Sequence, residues 1–442
     1  MCSIVGWTGE KITTDEKLHI LSHGRERGRD GHGFWIDGEE FRGMGDIDPD
    51  LFNKILLGKR VVGNFRATPT TEAESEIDIL QPYQGIVHNG VIANDKHFSD
   101  EVIDSIVLPK VLNPRNFSSL YENIQKIEGS YAIAYFDEQS LMLACNYKPI
   151  YFVKKEYGFM FASTPNMLMG CSVPMKPYSI MKVCSSMAHG ADNIKTKELP
   201  REHNKKVLVS ASGGLDSTTV AYMLQAKGYD VTLVHLMYNC LAQDKEVSFI
   251  KKIAEHGGFD LRFIQMPDVM RGTITEGTYH KSQIEGTEYA MDWVSGRNLL
   301  MLAVLTAYAE ANKFGNIAFG GNLEESGAYP DNEQEFGRKF NDILPFATQN
   351  KVKIELLQPI STYMKHEIVK EGVALDVPYN LTWSCYSDGE RHCDNCAPCF
   401  MRKVAFERNG LVDPVFNFND VCLLYTSPSP RDATLSRMPS SA

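Results

Sequence analysis

The chain has 442 residues, of which 43% are hydrophobic and 23% charged, with a formal net charge of −11. This length predicts two or three domains with sizeable cores, and the acidic balance argues against a large nonspecific nucleic-acid surface, leaving open only a local basic groove. No apolar run approaches the length of a membrane span, and no basic region followed by an apolar stretch opens the chain. Its ten Cys do not read as a secreted disulfide framework, so a cytoplasmic protein with no membrane partner is expected.

The chain begins Met1-Cys2-Ser3-Ile4-Val5-Gly6. A small second residue permits removal of Met1, which leaves Cys2 with a free α-amino group. A terminal amine has a pKa of about 7.7–8.0, so it can serve as the base beside its own thiol. Further on come Arg25-Glu26-Arg27-Gly28-Arg29-Asp30 with Gly33, then Gly63-Asn64-Phe65-Arg66-Ala67-Thr68, His88-Asn89-Gly90, Asp104-Ser105 and Gly129-Ser130-Tyr131-Ala132. In this order, over roughly residues 2–180, they resemble the class II glutamine amidotransferase domain. The resemblance implies a four-layer α-β-β-α sandwich (Ntn hydrolase-like) that hydrolyses L-glutamine. Cys2 would attack the side-chain amide. Asn89 and the Gly90 N–H would form the oxyanion hole, Arg66 would hold the glutamine α-carboxylate, and Asp104 the α-ammonium. Arg29 departs from the family's usual Pro.

Tyr131–Phe136 and Leu141–Cys145 read as strands, and Cys145, Cys171 and Cys184 as small buried residues. Residues 185–204 are polar and read as a linker between an amidotransferase domain over 2–184 and a second domain over 205–418.

In the second domain Val207–Val209 suits a buried parallel strand. Ser212-Gly213-Gly214 turns the chain, and Asp216, Ser217 or Thr218 can cap a helix over roughly 218–227. Strand, glycine turn and helix start together make an anion site. No Lys follows the glycines, so this is not the pattern ending Gly-Lys-Ser/Thr. Strands are then expected at Val231–Met237, Leu261–Met266 and Ile317–Phe319, and helices at Asp244–His256 and Arg297–Lys313. Such alternation means a doubly wound parallel sheet, whose ligands bind beyond the carboxyl ends of the strands. His32, His203 and His235 lack ligand-like spacing and read as surface or hydrogen-bonded core residues. Glu246, Lys251 and Lys252 read as a solvated helix face. Cys385, Cys393, Cys396 and Cys399 can surround one tetrahedral metal. A structural Zn²⁺ is the leading reading and an iron–sulfur cluster the rival.

Ser212-Gly213-Gly214-Leu215-Asp216-Ser217 resembles the PP-loop of enzymes that adenylate a substrate and release pyrophosphate. Ser295-Gly296-Arg297-Asn298, Gly321-Asn322, Tyr329-Pro330-Asp331, Lys365-x-Glu367-Ile368 and Thr382–Tyr386 leading into the four Cys extend the likeness over residues 205–415. In that order they resemble the QueC, or 7-cyano-7-deazaguanine synthase, family. The two halves together resemble GAT-QueC fusions. The resemblance implies a ligase that uses ATP and Mg²⁺ to adenylate a 7-carboxy-7-deazaguanine, with Zn²⁺ bound. Glutamine-derived ammonia is then added to give the 7-amido and 7-cyano compounds. Ser212, Gly213, Gly214, Asp216, Ser217 and Thr218 would bind ATP, and Arg297, Asn298, Tyr329 and Asp331 the deazaguanine. Glu325, Ala328 and Asn332 depart from the family's usual Asp, Gly and Cys.

Three alternatives stand beside this reading. One is archaeosine-type amidination of a nitrile base already in tRNA or DNA. Another is asparagine-synthetase-like amidation, and the third is a non-catalytic, zinc-stabilised nucleic-acid-binding module. A homodimer is left open. Residues 421–442 resemble translated sequencing-adapter DNA, with a disordered Ser/Pro tail as the other reading, and neither gives them a function.

Overall fold

The computed structural model describes residues 2–67, 79–101, 103–113, 115–138, 140–184, 194–270, 275, 294–326, 329–349 and 352–416. The chain divides into two compact units at Pro200 and Arg201. Ala328, Thr68 and the stretch 421–442 lie outside the described residues.

Among the described residues the first unit holds two sheets. One has seven strands in the order Val173–Pro174, Tyr151–Lys155, Gly158–Ala162, Ser3–Gly9, Arg60–Arg66, Gly31–Ile36 and Glu39–Met44. The other has five, in the order Ile194–Glu198, Ser179–Cys184, Ser140–Cys145, Gly129–Asp137 and Val87–Ile92. All these pairings are antiparallel. Side chains alternate across each strand, so a strand buried on both faces serves two cores. Ile4 and Val62 of the larger sheet meet Ala132, Ala134, Leu141 and Leu143 of the smaller one between the sheets. Val5, Trp7, Val61 and Phe65 point the other way, against Ile20 and Leu21 of helix Thr14–Arg27 and Ile55 of helix Pro49–Leu57. On the outer face of the smaller sheet, Ile133, Tyr135 and Ala144 meet Leu120 and Ile124 of helix Phe117–Ile124. The result is the expected α-β-β-α sandwich.

Ile194–Glu198 corrects the linker boundary. This segment pairs with Ser179–Cys184 as an edge strand. Its residues are mostly exposed polar ones, as an edge tolerates, so composition alone read them as linker.

The second unit is one parallel sheet of five strands, in the order Asp260–Gln265, Asp230–Met237, Lys206–Ser210, Asn316–Ala318 and Glu355–Leu357. Period two again sorts the strands. Val207, Val209 and Leu233 face Val220, Ile250, Ile253, Ile368 and Phe406 on one side. Leu208, Val234 and Leu236 face Leu302, Leu305, Phe340 and Leu344 on the other. Helices therefore cover both faces, as the alternation of elements predicts.

Helix Leu215–Ala226 starts three residues earlier than expected, and its N-cap is Gly214, with no side-chain cap. Asp216, Ser217 and Thr218 thus lie in the first turn and do not cap it. Thr218 Oγ1 donates back to Gly214 O at 2.7 Å, and Asp216 is drawn to a lysine far along the chain.

Candidate functional sites

In the first unit, strand Ser3–Gly9 runs antiparallel to Arg60–Arg66 with Ser3 opposite Phe65. That register sets Cys2 at the Arg66–Ala67 end, where its Sγ lies 3.5 Å from Ala67 O. Arg66 is buried. Asn89 and Gly90 sit on strand Val87–Ile92 of the other sheet. Ser163 joins the two sheets here: its Oγ accepts from Ile4 N at 2.9 Å and stands 3.5 Å from Asn89 Nδ2. Asn64 Nδ2 donates to His88 O at 3.2 Å across the same gap. Gly90 has φ +151°, and a Cβ there would lie 2.0 Å from Ser130 O, which only glycine avoids. Asp104 Oδ2 accepts from Ile92 N at 2.7 Å, and Oδ1 accepts from Ser105 Oγ at 3.1 Å.

Behind this row His88 Nδ1 lies 2.9 Å from Ser105 Oγ, and burial holds the imidazole below its ordinary pKa and hence neutral. Gly33 matters for a different reason: a Cβ there would stand 1.7 Å from Gln81 O. Ser163 was invisible in the sequence. It follows a strand and carries no spacing signal.

In the second unit, the loop after Lys206–Ser210 opens at the carboxyl end of the sheet into a cavity of about 250 Å³. Gly213 takes φ +80°, with Glu246 O 3.2 Å from where a Cβ would sit. Ser212 Oγ accepts from Gly214 N at 3.3 Å and lies 3.5 Å from Ser217 Oγ. Ser212, Gly214, Asp216 and Ser217 line the cavity, while Gly213 and Thr218 are not among its lining residues.

Lys365, on helix Lys365–Ala374, is the charge at the centre of this end. Its Nζ donates to Asp216 Oδ2 and to Glu325 Oε1, both at 2.6 Å, and its side chain is 9% exposed. Burial opposes its charge, but the two carboxylates win and hold the ammonium well above its ordinary range. Burial pushes the Asp216 carboxyl upward against the pull of Lys365. On Glu325 burial acts in the same sense, but Lys365 outweighs it and moves that carboxyl down. Asp216 Oδ1 is buried and has no hydrogen-bond partner among the described residues. A buried acceptor of this kind suits a divalent cation or a donor brought by ligand.

Arg297 and Asn298 line the cavity, as do Glu325 and Asn332, two of the departures noted above. Asn298 Nδ2 donates to Asn332 Oδ1 at 3.4 Å. Tyr329 and Asp331 are not among its lining residues. Both precede Asn332: Asp331 lies in the short turn Pro330–Asn332, and Tyr329 stands just before it, with Asn332 N donating to Tyr329 O. Glu246 corrects its sequence reading. It lines the cavity instead of belonging to a solvated face, and its side chain is 17% exposed.

The four Sγ atoms of Cys385, Cys393, Cys396 and Cys399 lie within 4.8 Å of one another, with Cys396 and Cys385 at 4.0 Å. A tetrahedral Zn²⁺ with bonds of about 2.3 Å sets its sulfurs about 3.8 Å apart, so the set fits. Ser387 N and Cys393 N each donate to Cys385 Sγ at 3.4 Å, and Cys396 is the N-cap of helix Ala397–Arg408. Both features favour thiolate. This cluster leads back to the loop. Trp383 N donates to Gly213 O at 2.8 Å, and Arg402, three residues beyond Cys399, donates to Thr382 Oγ1 and Ser384 Oγ.

Among the described residues no helix is long and apolar enough to cross a membrane. Residues 206–410 match the family model of the queuosine biosynthesis protein QueC. The 7-cyano-7-deazaguanine synthase of Sulfolobus acidocaldarius is 37% identical over 468 residues, covering 94% of this chain and 99% of that protein. The enzyme of the same name from Methanothrix thermoacetophila is 35% identical over 211 residues, covering 46% of this chain and 94% of its own length. Among solved structures, glutamine phosphoribosylpyrophosphate amidotransferase from B. subtilis overlaps 90% of this chain and 96% of its own at 14% identity. Its TM-score of 0.36 is too low to bear on function. The second unit carries the QueC domain, and the chain belongs to the 7-cyano-7-deazaguanine synthase family, in the long form that matches over both units.

Proposed function

We propose that the protein is a glutamine-dependent, ATP-using ligase that amidates a 7-carboxy-7-deazaguanine and carries it on to the nitrile. The observation that carries this reading is the uncapped helix start at Gly214, which opens into a cavity beside the Asp216–Lys365–Glu325 cluster.

In the first unit the Cys2 α-amine would take the thiol proton, and Sγ would attack the glutamine amide carbon. The tetrahedral oxyanion would be met by Asn89 and Gly90 N–H, with Arg66 and Asp104 holding the amino-acid end. Ammonia leaves as the thioester forms, and water releases glutamate. In the second unit the acceptor carboxylate attacks the ATP α-phosphorus, and the bond to pyrophosphate breaks. Ser212, Gly213, Gly214, Ser217 and Thr218 would cradle the departing phosphates, and Lys365 would offset their charge. Mg²⁺, held by Asp216, supplies further charge stabilisation when bound. Ammonia then adds to the acyl carbon, AMP departs and a proton is lost, leaving the amide. A second ATP activates the amide oxygen, whose loss with AMP gives the nitrile. Arg297 and Asn298, with Tyr329 and Asp331 behind, would hold the acceptor. The four Cys would hold Zn²⁺ in a closed, structural site.

The test is product formation with pyrophosphate release from free 7-carboxy-7-deazaguanine, glutamine and MgATP. Cys2→Ala is expected to abolish glutamine use while high ammonium still supports turnover. Product from nitrile-bearing tRNA or DNA without ATP, and none from the free acid, would overturn this reading in favour of amidination.

A further inference from the structure

The same cavity carries a pair of hydrogen-bond acceptors that no part of the mechanism above uses. His235 lies near the carboxyl end of strand Asp230–Met237, and Glu246 lies in the first turn of helix Gln243–Gly257. Both line the cavity. His235 Nδ1 lies 2.9 Å from Ala211 O, and a carbonyl can only accept, so Nδ1 carries the proton. Burial holds this imidazole below its ordinary pKa, which keeps it neutral. Nε2 is therefore a lone-pair acceptor, and it is buried with no partner among the described residues.

Glu246 Oε2 stands 3.9 Å from that Nε2, and its recorded hydrogen-bond contact is the weak Cys240 thiol at 3.8 Å. A buried acceptor and a half-buried one side by side leave an unmet demand for donors. Burial drives the Glu246 carboxyl up to about 7, against the opposing pull of the Arg297 charge. Arg297 lines the same cavity and brings donors only.

This pattern selects a ring. A 2-aminopyrimidin-4-one edge offers N1–H and the 2-amino N–H side by side, which matches two adjacent acceptors. Adenine offers one amine beside the N1 lone pair, which would face an acceptor. We propose that Glu246 and His235 read the N1–H and 2-amino edge of the acceptor heterocycle and so determine its specificity, an assignment that rests on the acceptor proposed above.

The test is a cycle between one side chain and one ligand group, run on the full chain with a non-hydrolysable ATP analogue present. Binding of 7-carboxy-7-deazaguanine and of its 2-deamino analogue is measured by calorimetry for the wild type and for Glu246→Gln, whose shape is nearly unchanged. The wild type is expected to bind the analogue about 30-fold more weakly, in the range for losing donors to a buried site. Glu246→Gln is expected to bind the full acceptor about 30-fold more weakly and to tell the two ligands apart by less than about 3-fold. Its affinity for the ATP analogue and its unfolding transition should show that the variant is folded and nucleotide-competent. Equal discrimination by both proteins would overturn the assignment, as would a loss confined to nucleotide binding. If the wild type binds neither ring compound, the acceptor proposed above fails, and this assignment falls with it.

Discussion

Arg402→Met is the substitution whose cost is best defined by the geometry. The guanidinium is 1% exposed and meets Asp413, 3% exposed, through Nε–Oδ2 at 2.7 Å and Nη2–Oδ1 at 3.0 Å. It also donates to Tyr379 O at 2.9 Å, Thr382 Oγ1 at 2.6 Å and Ser384 Oγ at 3.2 Å. Methionine keeps much of the apolar stem but strands the Asp413 charge and frees three further acceptors. Removing one partner of such a buried pair costs about 3–5 kcal/mol. For a domain of this size each kcal/mol moves a transition by about 2–4 °C, so a fall of roughly 6–20 °C is expected. Calorimetry of the full chain should show it in the transition of the second unit and leave that of the first in place. The double variant Arg402→Met with Asp413→Leu removes the stranded charge and should recover much of the loss. A second consequence is local. Thr382 and Ser384 flank Trp383, whose N–H holds Gly213 O, so ATP binding should weaken in the variant well below its melting temperature. A fall corresponding to less than about 1 kcal/mol would refute the reasoning. So would a double variant no more stable than the single one.

Lys365→Met should cut ATP-dependent turnover by about 100-fold or more, because the buried cation beside the proposed phosphate loop is lost and two carboxylates are left without their shared partner; wild-type rates of pyrophosphate release would contradict that proposed role. Elemental analysis should find one Zn²⁺ per chain, and Cys399→Ser or a strong chelator should lower the melting temperature of the second unit. An iron chromophore would identify the other metal. Glu246 makes stability depend on pH with a defined sign. Its folded carboxyl lies near 7 against an ordinary 4.5, so the folded state holds its proton more tightly. That contribution is fully present below the unfolded value and is lost as pH rises through about 7, by up to about 3 kcal/mol. Urea titrations of wild type and Glu246→Gln at pH 5 and pH 8 should therefore diverge, with the variant gaining at the higher pH. Parallel pH profiles would refute the shift.

The regular elements were legible because their causes are local. Apolar runs at Val207–Val209 and Val231–Met237, and helical spacing at Val247, Ile250 and Ile253, place the same residues in strand and helix in the folded protein. The four Cys were legible from spacing, and the glycine loop from its composition. Glu355–Leu357 was not, since three residues carry too little pattern, and the strand is defined by its pairing, Ile317 opposite Leu356. Ile194–Glu198 was lost for the opposite reason, being a polar edge.

What the amino-acid order determined by itself is therefore the strand–turn–helix units, the place of Cys2 just ahead of the first strand and the four-Cys set, each a matter of neighbours within a few residues. What only tertiary structure decided is which charges share a space. Lys365 meets Asp216 across 149 residues, and Ser163 links Ile4 to Asn89. His235 and Glu246, eleven positions apart, turn from unremarkable residues into neighbouring acceptors in one cavity, the His235 Nε2 buried without a partner among the described residues. The physical reason is that burial sets the cost of a polar group, and burial belongs to the folded chain.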